Sequence, residues 1–173
     1  MAANSNSQYV NLDRIWTILK GGITQIYKQE LTTQQYMDLW SLVYNYCTTE
    51  QKNSKKYFNL SSGRVKVGRS EIIGGELYER LENFLANYLT DLLKSGSNLN
   101  NEEFWTFYTT KWVEYRFLSR VLTGVFGYIN RTWVRRECEE GNEDVYEVFQ
   151  LALVTWREHL FKHLNKQVEP YLN

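Results

Sequence analysis

One proline, at position 170, stands in a chain of 173 residues, and apolar side chains recur three and four positions apart along nearly all of it. Proline is the residue a helix interior tolerates least, because its ring removes a backbone donor and clashes with the preceding turn. A chain almost free of it can run helix after helix. The spacing points the same way, since residues three and four apart share a helical face, and no stretch shows the alternation a strand would need. The fold class expected is all-α.

The periodicity divides the chain into six helices. The first is predicted from about Asp13 to Gln29, with Leu12, Ile15, Trp16, Leu19, Ile23, Ile26 and Tyr27 on one side and Gly21 and Gly22 as a weak point. The second starts at Thr32, whose spacing to Gln35 fits a capping box, and ends near Cys47. Residues 48 to 70, TTEQKNSKKYFNLSSGRVKVGRS, are polar and basic without periodicity and read as a mobile surface loop. A third helix is expected from Glu71 to Lys94, stopped by Gly96. The fourth starts after Asn100 and Asn101, with Glu102 and Glu103 at the positive end of its dipole, and runs to about Arg116. The fifth spans Phe117 to Cys138, closed by Glu139, Glu140 and Gly141, and the sixth runs from about Asp144 to His163. Few residues follow that last helix, the pattern expected of a piece cut from a longer chain.

Composition narrows the function. Hydrophobic residues make up 43% and charged residues 23%, which places the chain among folded globular proteins. Formal net charge is zero, so no global field draws it to nucleic acid or to an anionic membrane, and neither is expected as a partner. The absence of a recognisable leader in MAANSNSQ argues for the cytoplasm or nucleus, with Cys47 and Cys138 reduced, buried and packing in the core. Aromatics at 16%, with 13 Tyr and 6 Trp, favour a protein that buries surface against partners as well as itself.

Chemistry is scarce. His159 and His163, four apart, have the spacing of two metal ligands, but Leu160 stands where a metalloprotease would need Glu and no third ligand is evident. Gly21-Gly22 and Gly74-Gly75 lack the context of a phosphate-cradling loop and read as turns or close helix contacts. Lys52, Lys55, Lys56, Arg64, Lys66 and Arg69, together with Arg131, Arg135 and Arg136 near Trp133, leave a helical nucleic-acid binder or a generic interaction module as the alternative reading. No catalytic residue, metal or cofactor is assigned.

The segment QQYMDLWSLVYNYCT, residues 34 to 48, carries two apolar stripes where a surface helix needs one. At 100° per residue, Leu39, Leu42, Val43 and Tyr46 fall along the first; Met37, Trp40 and Tyr44, with Tyr36 beside them, fall along the second. Either the helix is buried all round, or the second stripe awaits a partner. Periodicity leaves both open.

The same segment resembles the second helix of the cullin amino-terminal domain, in the cullin type that scaffolds SCF ubiquitin ligases. NLDRIWTILKGGITQIY resembles the family's first helix, GGELYERLENFLANYLTDLL its third, and FYTTKWVEYRFLSRVLTGVFGYINRTWVRRECEEG its fourth and fifth. YEVFQLALVTWREHLFKHLNKQV resembles the opening of the next repeat. The resemblance implies a helical bundle of cullin repeats: a flexible amino terminus over 1–10, a first five-helix repeat over 11–141 with its loop at 48–70, and the start of a second over 142–173.

It also implies a non-catalytic scaffold arm. In the family, helices two and five of the first repeat bind a BTB-fold F-box adaptor, which carries an F-box protein and through it the substrate; an exchange factor competes for the same region. The resemblance carries this over to Tyr36, Met37, Trp40 and Tyr44 on the second helix and, chosen by helical spacing as the side turned towards the same partner, to Ile129, Asn130, Trp133 and Arg136 on the fifth. The RING-box protein would be reached only through the cullin homology domain, which this chain lacks. Trp40 departs from the Tyr common in this family type, Leu42 replaces a more polar residue, and the loop follows no family pattern.

Overall fold

The computed structural model describes residues 12–28, 30–58, 72–96 and 99–162, and helices account for nearly all of them. In chain order these are α1 (Leu12–Tyr27), α2 (Thr33–Phe58), α3 (Ile72–Gly96) and α4 (Asn101–Val125). Next comes α5, residues 127–139, in which a π-helical turn, Asn130–Val134, sits between the α-helical stretches Gly127–Ile129 and Arg135–Glu139. Last is α6, residues 148–161, made of Val148–Trp156 and a second π turn, Arg157–Phe161. No strand occurs among the described residues, and none of their helices is long and apolar enough to cross a membrane.

Local signals start the helices where the spacing places them. At α2 the Thr32 amide donates to Gln35 Oε1 at 2.8 Å and the Gln35 amide donates to Thr32 Oγ1 at 3.2 Å, so both halves of the capping box form. At α4 the Glu103 amide donates to Asn100 Oδ1 at 3.0 Å, and the Asn100 amide donates back to the Glu103 carboxylate at 3.2 Å. Gly141, with φ +87°, takes the left-handed conformation that closes α5.

Three boundaries differ from the expectation. Residues 48–58 are helical, extending α2 to Phe58; residues 59–70 of the expected loop lie outside the described residues. TTEQKNSKKYF contains no Gly or Pro and several good helix formers, so a missing apolar period says nothing against helix there. The break between α4 and α5 falls at Phe126, ten residues beyond the expected one at Arg116 and Phe117. Nothing at 116 interrupts a helix, and Tyr115, Leu118, Leu122 and Val125 continue one buried stripe through it. The last helix begins at Val148, because residues 140–147 are pinned as a turn: the Tyr78 hydroxyl donates to the Tyr146 carbonyl at 2.9 Å and accepts from the Tyr146 amide at 3.0 Å.

All six helices feed one core. Leu19 and Ile23 of α1, Val43 of α2, Leu81, Leu85 and Leu89 of α3, Leu122 of α4 and Ala152 of α6 are fully buried. Truncating any of these leucines would cost about 2–5 kcal/mol. The glycine pairs serve close packing: a Cβ on Gly22 would collide with Leu39, and one on Gly74 would lie 2.5 Å from Trp133 Cβ. Gly96, the last residue of α3, makes way for Phe107.

Much of the aromatic excess goes inward. Tyr27 stacks on Tyr88 at 4.1 Å, Tyr88 lies 6.3 Å from Tyr115, and Tyr115 lies 4.9 Å from Trp156, giving a seam from α1 through α3 and α4 to α6. Polar ends find partners at its α4 and α6 end, whereas the buried Tyr27 hydroxyl has none among the described residues. The Tyr115 hydroxyl donates to the Ala152 carbonyl at 3.0 Å, and the Trp156 indole N–H donates to Tyr108 Oη at 3.0 Å. Burial raises the pKa of Tyr27, Tyr88 and Tyr115 above that of an ordinary tyrosine. Cys47 is buried, and burial pushes its thiol up to about 12. Cys138 is exposed, contrary to expectation, with its thiol directed at the Val145 carbonyl at 3.4 Å; the turn at 140–147 leaves the carboxyl-terminal end of α5 at the surface.

Candidate functional site

The two stripes of α2 take opposite environments. Leu39, Val43, Tyr46 and Cys47 are buried against α1, α3 and α4, with Leu42 half-buried beside them. Met37 is 48% exposed and Tyr44 39% exposed, with Trp40 half-buried between them. The helix is therefore not buried all round. Its second stripe reaches solvent.

That stripe is ordered by ring packing. Trp40 and Tyr44 stack with centroids 5.3 Å apart and planes only 7° from parallel, one turn apart on the helix. Tyr44 in turn meets Tyr128, at the start of α5, edge to face at 5.1 Å. Tyr36 lies over α4, its hydroxyl in the space that a side chain on Gly124 would need. A rigid aromatic ledge results, running along α2 and onto the first turn of α5. Such rings offer large contact area with little rotamer entropy to lose on binding.

The α5 residues assigned with α2 go elsewhere. Ile129 is 1% exposed and belongs to the core. Asn130 turns to α6, its side-chain oxygen accepting from the Val148 amide at 3.0 Å. The indole of Trp133 packs on Gly74 and Gly75 and lies 4.9 Å from the Tyr78 ring. Arg136 is half-buried, with Glu137 at 3.5 Å and Glu140 at 3.9 Å. The structure thus brings Tyr36, Met37, Trp40 and Tyr44 together and directs Ile129, Asn130 and Trp133 to the core, to α6 and to α3.

Ile129 lies on the core side of α5 before the π turn begins, and the π turn displaces the residues after Asn130. Each such turn closes its hydrogen bonds one residue later than an α turn, so a face counted at 3.6 residues per turn loses phase beyond Asn130. Tyr128 was missed for a related reason, since the break at Phe126 rather than the uninterrupted spacing decides which side it takes. Phe117, 60% exposed on α4, was also unassigned. Its exposure against the apolar spacing would have been visible only with the correct α4 boundary.

No three His, Cys, Asp or Glu side chains among the described residues gather in a way that could hold a metal; His163 lies outside them. Ion pairs such as Arg80 with Asp13 at 2.5 Å and Arg135 with Glu139 at 2.8 Å are exposed and contribute little individually.

Comparison with known proteins singles out one group. Residues 16–172 match the family model described as the cullin alpha solenoid domain. The chain is 34% identical over 160 residues to Cullin-1 of Caenorhabditis elegans, covering 89% of this chain and 20% of that protein. It is 32% identical over 171 residues to Cullin-1 of Dictyostelium discoideum, covering 97% of this chain and 22% of that protein. It is also 32% identical over 165 residues to Cell division control protein 53 of Saccharomyces cerevisiae, with coverage of 87% and 19%. The chain thus spans about a fifth of the length of the relatives it matches.

Proposed function

We propose, from the premise that this chain belongs to the cullin family, that it is the adaptor-binding part of the scaffold arm of an SCF-type ubiquitin ligase. In this reading the exposed ledge of α2 docks a BTB-fold F-box adaptor, and the adaptor carries an F-box protein and its substrate. Residues 11–141 form the first cullin repeat and 142–173 open the second. The role is positional and non-catalytic, exercised in the cytoplasm and nucleus. An exchange factor competes for the same ledge, and the RING-box protein is met only by parts of the scaffold outside this chain.

The single observation that carries the reading is the split of α2: Leu39, Val43 and Tyr46 at 5% exposure or less, against Met37 at 48% and Tyr44 at 39% on the opposite side of the same helix. The exposed Met37 and Tyr44, with the half-buried Trp40 stacked on Tyr44, form an apolar surface that is costly to leave in water, and Trp and Tyr are the residues that most often dominate binding energy. An adaptor burying roughly 800 Å² on this side would form a specific complex.

The test is binding of purified BTB-fold adaptors to the wild-type chain and to the double variant Trp40→Ala, Tyr44→Ala. The expected result is one adaptor captured by the wild type, and a loss of affinity on the order of a hundredfold in the variant, as for removal of two anchors, with the helical circular-dichroism signal retained. Binding unchanged in a folded double variant would end the proposal.

A further inference from the structure

The apolar stripe of α2 does not stop at Tyr36. Beyond it a groove of about 360 Å³ opens between the end of α1, the first turn of α2 and the middle of α4, lined among others by Ile26, Leu31, Thr33, Tyr36, Phe117 and Val121. Its outer wall is Phe117 at 60% exposure, and Val113, one turn earlier on the same face of α4, is 62% exposed. These are the two most exposed large apolar side chains among the described residues. A phenyl ring standing in water beside an open apolar groove leaves room for one more side chain that would bury surface on both of its flanks.

Charge indicates what accompanies that side chain. The first turn of α2 holds no acidic residue, so the positive end of its dipole, with Thr33 at the lip of the groove, is not neutralised locally. On α4 the exposed Arg116 and Arg120 stand beside Phe117, on the side of it away from Leu118 and Val121, and neither has an ion pair among the described residues. Arg120 rests over the ring of Phe149 at 5.8 Å. The turn between α1 and α2 adds exposed Lys28 and Glu30, which offset one another. With the exposed Asp38 in the second turn of α2 included, these exposed cations outnumber the anions by three (Lys28, Arg116, Arg120) to two (Glu30, Asp38).

We infer that this groove is a second seat for the adaptor, taking one apolar side chain flanked by carboxylates from an acidic segment of that protein. The inference rests on α2 being the docking helix and adds a specificity determinant to it. Tyr36 belongs to both surfaces, lining the groove with one edge and continuing the ledge with the other. From Tyr36 to Tyr44 is eight residues, or about 12 Å along a helix. The partner must therefore present two apolar anchors at about that spacing, with acidic residues beside the one nearer the start of α2. Phe117 is the residue that reads the second anchor, and Arg116 and Arg120 raise the encounter rate with an acidic partner.

The experiment is kinetic binding of a purified BTB-fold F-box adaptor to four versions of the full chain: wild type, Phe117→Ala, Arg116→Glu with Arg120→Glu, and Trp40→Ala with Tyr44→Ala. Phe117→Ala is expected to weaken binding about fivefold or more, chiefly through faster dissociation. The double charge reversal is expected to slow association at low salt, with the difference gone at high salt. Thr33→Tyr, which fills the groove from its other wall, is expected to weaken binding in the same way and serves if Phe117→Ala lowers the melting temperature. Affinity within about twofold of wild type for both groove variants, while Trp40→Ala with Tyr44→Ala abolishes binding, overturns the second seat and leaves α2 as the docking helix. Unchanged binding in that last variant, or no adaptor binding by the wild type, overturns the docking reading itself. Sedimentation showing a wild-type dimer that Phe117→Ala dissolves, with adaptor affinity unchanged, also overturns the inference, because the occupant is then a second copy of the chain.

Discussion

Helices α2 and α5 resemble each other in sequence character, both rich in aromatic and long side chains, yet they use their outward sides differently. On α2 the outward residues Trp40 and Tyr44 stack on each other, Tyr44 meets Tyr128, and Met37 stands exposed beside them. On α5 the corresponding residues are already engaged within the chain: Ile129 in the core, Asn130 on the amide of Val148, Trp133 on α3. An aromatic-rich helix is therefore a candidate docking surface only where its side chains have no internal partner. The difference teaches that composition measures how much contact a helix seeks, whereas geometry decides with what.

The contrast is sharpest at Ile129. Its truncation to Ala should cost about 3 kcal/mol of stability, since the side chain is 1% exposed within the common core. A thermal melt followed by circular dichroism should show a fall of roughly 10 °C for a chain of this size. A variant that melts like wild type but no longer binds an adaptor would place Ile129 with the α2 ledge and dissolve the distinction between the two helices.

Asn130→Ala should have the next largest effect. The residue at the N-cap position of α6, Glu147, makes no side-chain cap bond, and Asn130 supplies one from α5 instead. Loss of a helix cap costs about 1 kcal/mol. Hydrogen exchange at the Val148 amide should accelerate in the variant, and Asn130→Asp should restore protection, because a carboxylate accepts the same bond and favours the positive end of α6. Equal protection in all three proteins would mean that the contact holds nothing in place, and that α5 is freer for a partner than its geometry suggests.

What was legible in the sequence follows the same division. The two faces of α2 were read correctly over residues 36–47 because that helix is unbroken and keeps its 3.6-residue phase. The capping box of Thr32 with Gln35 was readable as well, while Asn100 and Glu103 were read as a helix start and a dipole partner and turn out to form a second box. The side taken by Trp133 was not, because the π turn at Asn130–Val134 changes the residue count per turn and leaves no residue-type signature of its own. Nor was the helicity of residues 48–58, where the sequence carries no apolar period to report it. The groove at Phe117 was not legible either, because it depends on where α1, α2 and α4 meet, which the period of no single helix reports.

The smallest effect on stability belongs to Met37→Ala, and it is the most discriminating. Met37 is 48% exposed on the open side of α2, so its truncation removes little buried area and Ala is the better helix former. Stability should stay within about 0.5 kcal/mol of wild type. A thioether is flexible and polarisable, suited to fit a partner's uneven apolar surface, and its loss from an interface between two aromatic anchors should weaken adaptor binding about tenfold. The pairing of unchanged melting with weakened binding is what α2 predicts and α5 forbids. A Met37→Ala chain that lost stability in proportion to binding would show that the ledge is held by the fold rather than offered to a partner, and the two helices would then differ only in degree.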